Sequence, residues 1–263
     1  MSTPSRFRRL RPLNTPAKNT PMKATLAALA LSVSVAACSP EFQKDKMGPI
    51  IKDYLMNNPE VVRDALIKLQ EQEEQEKYAA LSEAIASESE ALFNDPRDFA
   101  VGPKDAKVQV VEFYDYKCGY CRTAAPEVAA MIENNPDVRF VFKELPVLGG
   151  KGSPSYTMAL ASSAAARQDE GFLDFHQKLF ETPPNSDEQL FALAKDAGLD
   201  VQRLKADMKD PAHVERFDAT FRLAQKVGAS GTPTFIIGDQ IVPGWSPERI
   251  QKAMEEAKAE AAN

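Results

Sequence analysis

Residues 112–121 read Glu-Phe-Tyr-Asp-Tyr-Lys-Cys-Gly-Tyr-Cys. This stretch begins inside the apolar and aromatic run at residues 108–116, which is typical of a strand buried on both faces. The residues that follow, 122–134, carry apolar side chains at helical spacing. Cys118 and Cys121 therefore lie where a buried strand passes into a helix.

The two cysteines have the spacing of a pair that can close a small disulfide ring at a helix N-terminus. The unpaired N–H groups and the positive end of the helix dipole favour a thiolate on the first cysteine of such a pair. We expect Cys118 to be the nucleophile and Cys121 to resolve the mixed disulfide, with Gly119 and Tyr120 shaping the ring. The alternative, two cysteines that only fill space in a core, leaves their place between strand and helix unexplained.

Glu112 is a carboxylate in an otherwise apolar strand, six positions before Cys118. Burial would raise the pKa of this carboxyl group and allow it to exchange a proton with Cys121 during resolution. The alternative is a glutamate at the end of the strand whose side chain reaches solvent.

Downstream of the first helix, the pattern predicts a second buried strand, a long helical block and a short strand pair before a last helix. The helical block occupies about residues 150–228. The order is thus β-α-β, helices, β-β-α, which is the thioredoxin plan with an inserted helical subdomain, an α/β fold. The individual segments are a strand at 138–144, strands at 234–237 and 240–242, and a helix from 247 to about 261.

The chain resembles the DsbA family of thioredoxin-fold proteins, with the domain at residues 94–263. The resemblance rests on residues 112–121, on Pro126 and on the stretch 231–234, Gly-Thr-Pro-Thr. A CxxC pair also occurs in zinc sites, but this sequence has no second CxxC and no histidine pair to complete four ligands. We therefore expect neither a metal nor a cofactor.

The resemblance implies roles for four further residues. Pro233 is similar to the cis-proline that faces the active-site cysteines, although a plain trans turn is the alternative. Thr232 would offer its main-chain N–H and C=O groups to an extended substrate, beside Gly119 and Tyr120. Threonine before this proline is typical of isomerase-like members, whereas many DsbA oxidases have valine. An acidic residue occupies the place of Glu112 in the family.

Residues 47–93 carry short amphipathic helices, with a polar stretch at 70–77. Such helices cannot form a core alone, so we expect them to self-associate into a bundle; the alternative is an arm folded back on its own domain. Residues 53–61, Asp-Tyr-Leu-Met-Asn-Asn-Pro-Glu-Val, resemble the N-terminal segment of ScsC-like (suppressor of copper sensitivity) thiol oxidoreductases. This resemblance implies a homo-oligomer, a trimer rather than a dimer, and disulfide isomerase activity.

The first 37 residues have the pattern of a secretory signal, with six basic residues, no acidic residue and a small apolar run at 24–37. Residues 35–38, Val-Ala-Ala-Cys, resemble a bacterial lipobox, which implies lipidation of Cys38 and a tether at 38–46. Ser39 stands where an aspartate would indicate retention at the inner membrane. We therefore expect a periplasmic protein that is anchored to the outer membrane by its lipid. The alternative is an unlipidated secreted protein cut near the same alanines.

The net charge and the number of cysteines exclude further classes of function. Six of the 32 basic residues and none of the 38 acidic ones lie in residues 1–37, so the rest of the chain has 26 basic residues and a net charge of −12. This charge argues against nucleic acid as a partner, and against contact with the membrane other than through a lipid. If Cys38 carries lipid, only one close cysteine pair remains, so the pair serves chemistry and not a structural disulfide framework.

These observations predict a periplasmic thiol:disulfide oxidoreductase that acts on protein cysteines or disulfides, with isomerase or reductase character. Its partner would be a membrane redox protein of the DsbD/ScsB or DsbB type. Two alternatives stay open: a monomeric DsbA-type oxidase, and a Cu(I)-binding chaperone that uses the cysteine pair as soft ligands. His176 and His213 are expected to face solvent or the edge of the core, and Trp245 to line a substrate surface or simply to pack.

Overall fold

The computed structural model describes residues 40–168 and 171–262. The predicted signal segment at 1–37 and the proposed lipidation site Cys38 lie outside these residues. The chain divides into two compact units, one ending at Lys68 and one running from Leu69 to Asn263.

The described residues of the first unit are helical. Helix α1 (Pro40–Asn57) is followed by the start of α2 (Pro59–Ser87), and the side-chain amide of Asn58 donates a hydrogen bond to the carbonyl of Tyr54 at 2.7 Å. The two helices are separated at Asn58. The tether expected at 38–46 is wrong for residues 40–46, which belong to α1. Proline suits the first turn of a helix, and the glutamate, glutamine and lysines that follow it are good helix formers.

Large apolar side chains of the first unit are exposed to solvent. Their exposed fractions range from 37% for Val61 to 73% for Met56. So many exposed large apolar side chains in one segment are typical of a protein–protein interface. The exposed set comprises Met47, Ile50, Ile51, Tyr54, Met56, Val61, Val62, Leu66 and Ile67.

In its described residues the second unit contains a five-stranded mixed sheet and eight further α-helices. The sheet order is β1-β3-β2-β4-β5, in which β2 and β3 are parallel and the other neighbouring pairs are antiparallel. The strands are β1 (Phe99–Val101), β2 (Val108–Tyr114), β3 (Val138–Glu144), β4 (Thr234–Ile237) and β5 (Gln240–Pro243). The helices are α3 (Ser89–Phe93), α4 (Gly119–Asn134), α5 (Pro154–Ala165), α6 (Phe172–Glu181), α7 (Asp187–Asp196), α8 (Val201–Asp207), α9 (Ala212–Lys226) and α10 (Pro247–Ala261).

This arrangement confirms the predicted thioredoxin plan, with helices α5 to α9 inserted between β3 and β4. The strand β1 was not predicted. It is only three residues long and half-buried, so it has neither the length nor the alternation that marks a strand in a sequence.

Strand β2 has a core on each face because successive side chains of a strand point to opposite sides. Val110 and Tyr114 belong to the core that contains residues of α4, α6, α7 and α10. Val111 and Phe113 belong to a second core with residues of α9. The central strand is therefore buried on both faces, as its apolar run predicts.

The second core also contains Ile85 from α2 and Leu92 from α3, which are 2% and 0% exposed. Both residues fall in the stretch 47–93 that the sequence assigns to the N-terminal arm. Their packing places the C-terminal part of that stretch with the thioredoxin domain, whereas residues 70–77 are helical and exposed, as expected.

A buried group of charges joins β3, α9 and the residue directly before β1. Arg216 contacts Asp98 at 3.0 Å and also pairs with Glu144, and Lys143 pairs with Asp98. All four side chains are at most 4% exposed. Moving α9 away from the sheet would leave these buried charges without partners, which is unfavourable. The group therefore favours the packing of α9 on the sheet. No helix in the described residues is long and apolar enough to cross a membrane.

Candidate active site

Cys118 occupies the N-cap position of α4, directly after the turn that follows β2. Its main-chain N–H donates to the carbonyl of Asp115 at 3.0 Å, which closes the turn. The side chain is 8% exposed, and its thiol donates to the main-chain carbonyl of Thr232 at 3.1 Å. The residue is thus largely buried, and its sulfur lies at the N-terminus of α4, at the positive end of the helix dipole.

Cys121 lies one turn further along α4 and is fully buried. Burial raises the pKa of the Cys121 thiol well above its ordinary value, and the nearby carboxylate of Glu112 raises it further. Both cysteines are free thiols. The two sulfurs therefore differ in access, as expected for a pair in which one attacks and the other resolves.

Glu112 lies in the middle of the sheet, between Phe142 on β3 and Phe235 on β4. Its place in the alternation of β2 puts its side chain on the same face as Val110, in the core that also holds Cys121. The residue is 4% exposed, and burial raises the pKa of its carboxyl group to about 8. The alternative of a glutamate that reaches solvent is wrong, because β2 is an inner strand whose neighbours cover this position.

The loop before β4 brings Thr232 to Cys118. The Thr232–Pro233 peptide bond is cis, and the carbonyl of Pro233 accepts a hydrogen bond from the N–H of Gly244 at 2.9 Å. The hydroxyl of Thr234 donates to the carbonyl of Gly231 at 2.7 Å. These bonds hold the loop on both sides of the proline, so that the carbonyl of Thr232 lies beside the sulfur.

An exposed, partly apolar surface surrounds Cys118. Gly119 and Tyr120 are exposed, and the Tyr120 side chain is 74% accessible. In the loop after β3, Val147 and Leu148 are 40% and 53% accessible. Trp245 is half-buried and packs on Phe235 with a ring-centre distance of 5.9 Å, so packing explains at least one face of its ring.

Asp115 is a site residue that the sequence analysis did not identify. Its carboxylate is 2% exposed and accepts hydrogen bonds from the N–H of Lys117 at 2.8 Å, the N–H of Leu148 at 2.9 Å and the hydroxyl of Ser155 at 2.8 Å. It therefore connects the turn before Cys118 to the 145–153 loop and to α5. The sequence signal was an acidic residue within a buried aromatic run.

Both histidines are buried, so the expectation that they face solvent or the core edge is wrong. His176 lies among aromatic rings, and its Nδ1 is 2.7 Å from the hydroxyl of Tyr116. His213 Nδ1 is 2.7 Å from the hydroxyl of Ser163. Burial lowers the pKa of His176 to about 3 and also lowers the pKa of His213, so both rings are neutral at pH 7.

The described residues contain no group of three or more His, Cys, Asp or Glu side chains placed to hold a metal ion. The site thus consists of two thiols, a buried carboxyl group and a main-chain carbonyl. Such a set can exchange disulfides, because one sulfur lies at a helix N-terminus beside the main chain of Thr232 and the other is close to the carboxyl group of Glu112.

Comparison with known proteins agrees with this chemistry. The model of the DSBA-like thioredoxin domain matches residues 109–255, and the model of the copper resistance protein ScsC N-terminal domain matches residues 43–76. The chain is 30% identical over 168 residues to disulfide bond formation protein D of Bacillus subtilis, covering 59% of this chain and 74% of that protein. It also matches Na(+)/H(+) antiporters named NhaA, of whose length it spans 22–29%.

Solved structures are similar over larger parts of their length. A thioredoxin-like oxidoreductase from Silicibacter pomeroyi is 36% identical with a TM-score of 0.59, covering 65% of this chain and 97% of that one. A linker-deletion variant of ScsC from Proteus mirabilis is 29% identical with a TM-score of 0.61, covering 86% of this chain and 100% of that one. The chain therefore belongs to the DsbA-like thioredoxin-domain family of thiol-disulfide oxidoreductases, and it carries a ScsC-type N-terminal domain.

Proposed function

We propose that this protein is a periplasmic thiol:disulfide oxidoreductase that acts on the cysteines of other proteins, with Cys118 as nucleophile and Cys121 as resolving thiol. The observation that carries the proposal is the place of the Cys118 sulfur, at the start of α4 and 3.1 Å from the carbonyl of Thr232. This carbonyl and the neighbouring N–H are main-chain groups with which an extended substrate pairs as an added strand.

The first step is attack by the deprotonated Sγ of Cys118 on one sulfur of a substrate disulfide. The substrate S–S bond breaks and an S–S bond between Cys118 and the substrate forms. The displaced sulfur leaves as a thiolate and takes a proton from water. The exposed rim formed by Tyr120, Val147 and Leu148 supports contact with the side chains of an unfolded substrate.

Cys121 resolves the mixed disulfide. It gives its proton to the ionised carboxylate of Glu112, its Sγ attacks the Sγ of Cys118, and the substrate sulfur leaves as a second thiolate. The raised pKa of Glu112, about 8, makes this carboxylate a stronger base than an ordinary glutamate and thus a better acceptor for the thiol proton. The cysteine pair loses two electrons, which the substrate disulfide gains.

We further propose that this site has disulfide isomerase or reductase activity. In isomerisation, a second substrate thiolate attacks the substrate sulfur of the mixed disulfide and releases Cys118, with no net oxidation. Reduction instead requires a membrane redox partner of the DsbD/ScsB type to return two electrons to the pair. Thr232 before Pro233, in place of the valine of many oxidases, supports this direction.

Self-association through the first unit would place several such sites on one particle. The exposed apolar side chains of residues 47–67 support a homo-oligomer, for which we favour a trimer. Replacing Ile50 and Leu66, 68% and 60% exposed, with glutamate should give a monomer in sedimentation experiments. If that monomer still rescues scrambled ribonuclease as well as the unchanged protein does, the oligomer has no part in isomerisation.

The test of the exchange chemistry is capture of an intermediate. In a Cys121→Ala variant, proteins that react with Cys118 stay attached through a disulfide that reductant releases. The matched control is Cys118→Ser, which retains Cys121 and should capture nothing. Equal capture by both variants would contradict the assigned roles.

Two of the alternatives predict different results. A monomeric DsbA-type oxidase would oxidise reduced ribonuclease without rescuing the scrambled form. A Cu(I) chaperone would hold the metal through the two thiolates and show no turnover with a dithiol peptide. The location is tested by labelling with radioactive palmitate, where Cys38→Ser should abolish the label if Cys38 is lipidated.

A further inference from the structure

A cleft of about 430 Å3 lies at the end of the sheet opposite the cysteines. Arg139 in its wall is cross-strand neighbour to Gln109, near the start of β2, whereas Cys118 follows the end of that strand. The rest of the wall comes from the segment before β1 and from the ends of α5 and α9. The thiol chemistry therefore does not use this cleft.

Four guanidinium groups line the cleft, although the chain as a whole is acidic. A wall of this sign concentrates anions, and planar guanidinium groups bind carboxylates and phosphates through two parallel hydrogen bonds. Three of the four already have carboxylate partners within the protein: Arg97 pairs with Asp95, Arg167 with Asp210, and Arg216 with Asp98 and Glu144.

Arg139 is the fourth, and its side chain makes no hydrogen bond or ion pair in the described part of the chain. Its Nε atom is buried and without a hydrogen-bond partner. Lys143 pairs with Asp98, and His213, the other basic residue of the wall, is neutral at pH 7 because burial lowers its pKa. Among the four arginines of the wall, Arg139 is therefore the one without a carboxylate partner in the described residues.

The remaining wall is apolar and includes Phe99, Ala100 and Ala166. An arginine without a carboxylate partner favours an oxyanion beside its guanidinium group. We propose that this cleft binds a small organic anion, with one carboxylate or phosphate group on Arg139 and an apolar body against Phe99 and Ala166. Its volume is in the range of ordinary small-molecule sites.

Gln109 offers the competing explanation for Arg139. Its Oε1 atom is also buried and unpaired, and the two residues are neighbours across β2 and β3. A bond from Arg139 to Gln109 would satisfy Nε, but the amide carries no charge, so the positive charge would still lack a counterion. The two explanations predict different effects of an added anion.

The experiment is calorimetric titration of the full chain with benzoate, phenyl phosphate and the neutral analogue benzamide, in buffers of matched chloride concentration. Saturable binding of at least one anion and not of benzamide is expected. Arg139→Gln should weaken that binding at least about tenfold, because a charge-assisted bidentate contact is lost. Arg139→Lys, which keeps the charge but not the fork, should give an intermediate affinity.

Arg222→Gln is the matched control, since Arg222 is exposed on α9 and outside the cleft. Its affinity should equal that of the unchanged protein. The proposal is overturned if neither anion binds saturably, if benzamide binds as well as benzoate, or if Arg139→Gln and Arg222→Gln titrate alike. Because Arg139→Gln should leave peptide disulfide exchange unchanged, failure here is distinguishable from failure of the proposed catalytic function.

Discussion

The thiol of Cys118 donates to the main-chain carbonyl of Thr232 at 3.1 Å, although 114 residues separate the two in the chain. The same carbonyl belongs to the edge at which we propose a substrate strand to pair. The nucleophile and the main-chain groups that would align the target disulfide are therefore held next to each other by the fold. This hydrogen bond therefore connects the reactive residue at the start of α4 to the loop that we propose binds the substrate.

The two cysteines should react with alkylating agents at very different rates. Cys118 is 8% exposed at a helix N-terminus, whereas Cys121 is fully buried and burial raises the pKa of its thiol. We expect iodoacetamide to modify Cys118 at least about 100-fold faster than Cys121 in the reduced protein. Peptide mass spectrometry over a time course measures both rates, and similar rates would contradict the assignment of Cys118 as nucleophile.

Glu112 should make the folded state less stable as the pH rises. Burial raises the pKa of its carboxyl group from 4.5 to about 8, so the folded protein holds this proton more tightly than the unfolded chain does. The stability that the neutral group contributes is full below pH 4.5 and is lost as the pH rises through about 8. From the size of the shift, the loss is on the order of 4 kcal/mol.

Glu112→Gln removes this titration. Urea denaturation of both proteins under reducing conditions, from pH 5 to pH 9, should show the variant gaining stability relative to the unchanged protein across that interval. Exposed Glu127→Gln is the control and should show no such trend. A constant difference between the two proteins would show that Glu112 is ionised throughout.

Asp115 should be needed for the shape of the active-site turn. Asp115→Ala removes the acceptor of three hydrogen bonds from buried or partly buried donors, so a loss of about 3 kcal/mol or more in unfolding free energy is expected. Asp115→Asn keeps one carbonyl oxygen and should lose less. The rate of exchange with a disulfide peptide should fall more in Asp115→Ala than in Asp115→Asn. Exposed Asp105→Ala should change neither quantity.

Leu92 and Leu66 should respond differently to the same truncation. Leu92 is fully buried under the sheet, so Leu92→Ala should lower the unfolding free energy by about 2–5 kcal/mol. Leu66 is 60% exposed, and Leu66→Ala should change it by less than about 0.5 kcal/mol while weakening self-association. Chemical denaturation and sedimentation measure the two effects. A large stability loss for Leu66→Ala at concentrations where the protein is monomeric would contradict the exposure of this face.

The residues around the cysteines show why the fold could be predicted from sequence. The run at 108–116 is apolar over a strand's length and the next segment has helical periodicity, so local pattern alone specifies strand, turn and helix. Glu112 stood out because a charge interrupted that run. Thr232 and Pro233 lie far along the chain, and only the family resemblance connected them to Cys118.

The features that could not be predicted from the sequence involve contacts between residues that are far apart in the chain. His176 and His213 fell on helices that local pattern did not orient, and their burial follows from the hydroxyls of Tyr116 and Ser163. Asp115 could not be assigned because two of its three donors, Leu148 and Ser155, belong to later segments. Ile85 and Leu92 were grouped with an arm because their packing partners lie on β2 and α9.

The ionic group of Asp98, Lys143, Glu144 and Arg216 has a consequence for the order in which the chain acquires its structure. Arg216 lies 118 residues after Asp98 and 72 after Glu144. Until the ninth helix docks, the sheet edge would enclose two carboxylates with only one lysine to neutralise them, which is unfavourable in a dry interior. We therefore expect this part of the sheet to become tightly packed only after α9 has docked, so that a chain interrupted before residue 216 remains loosely assembled.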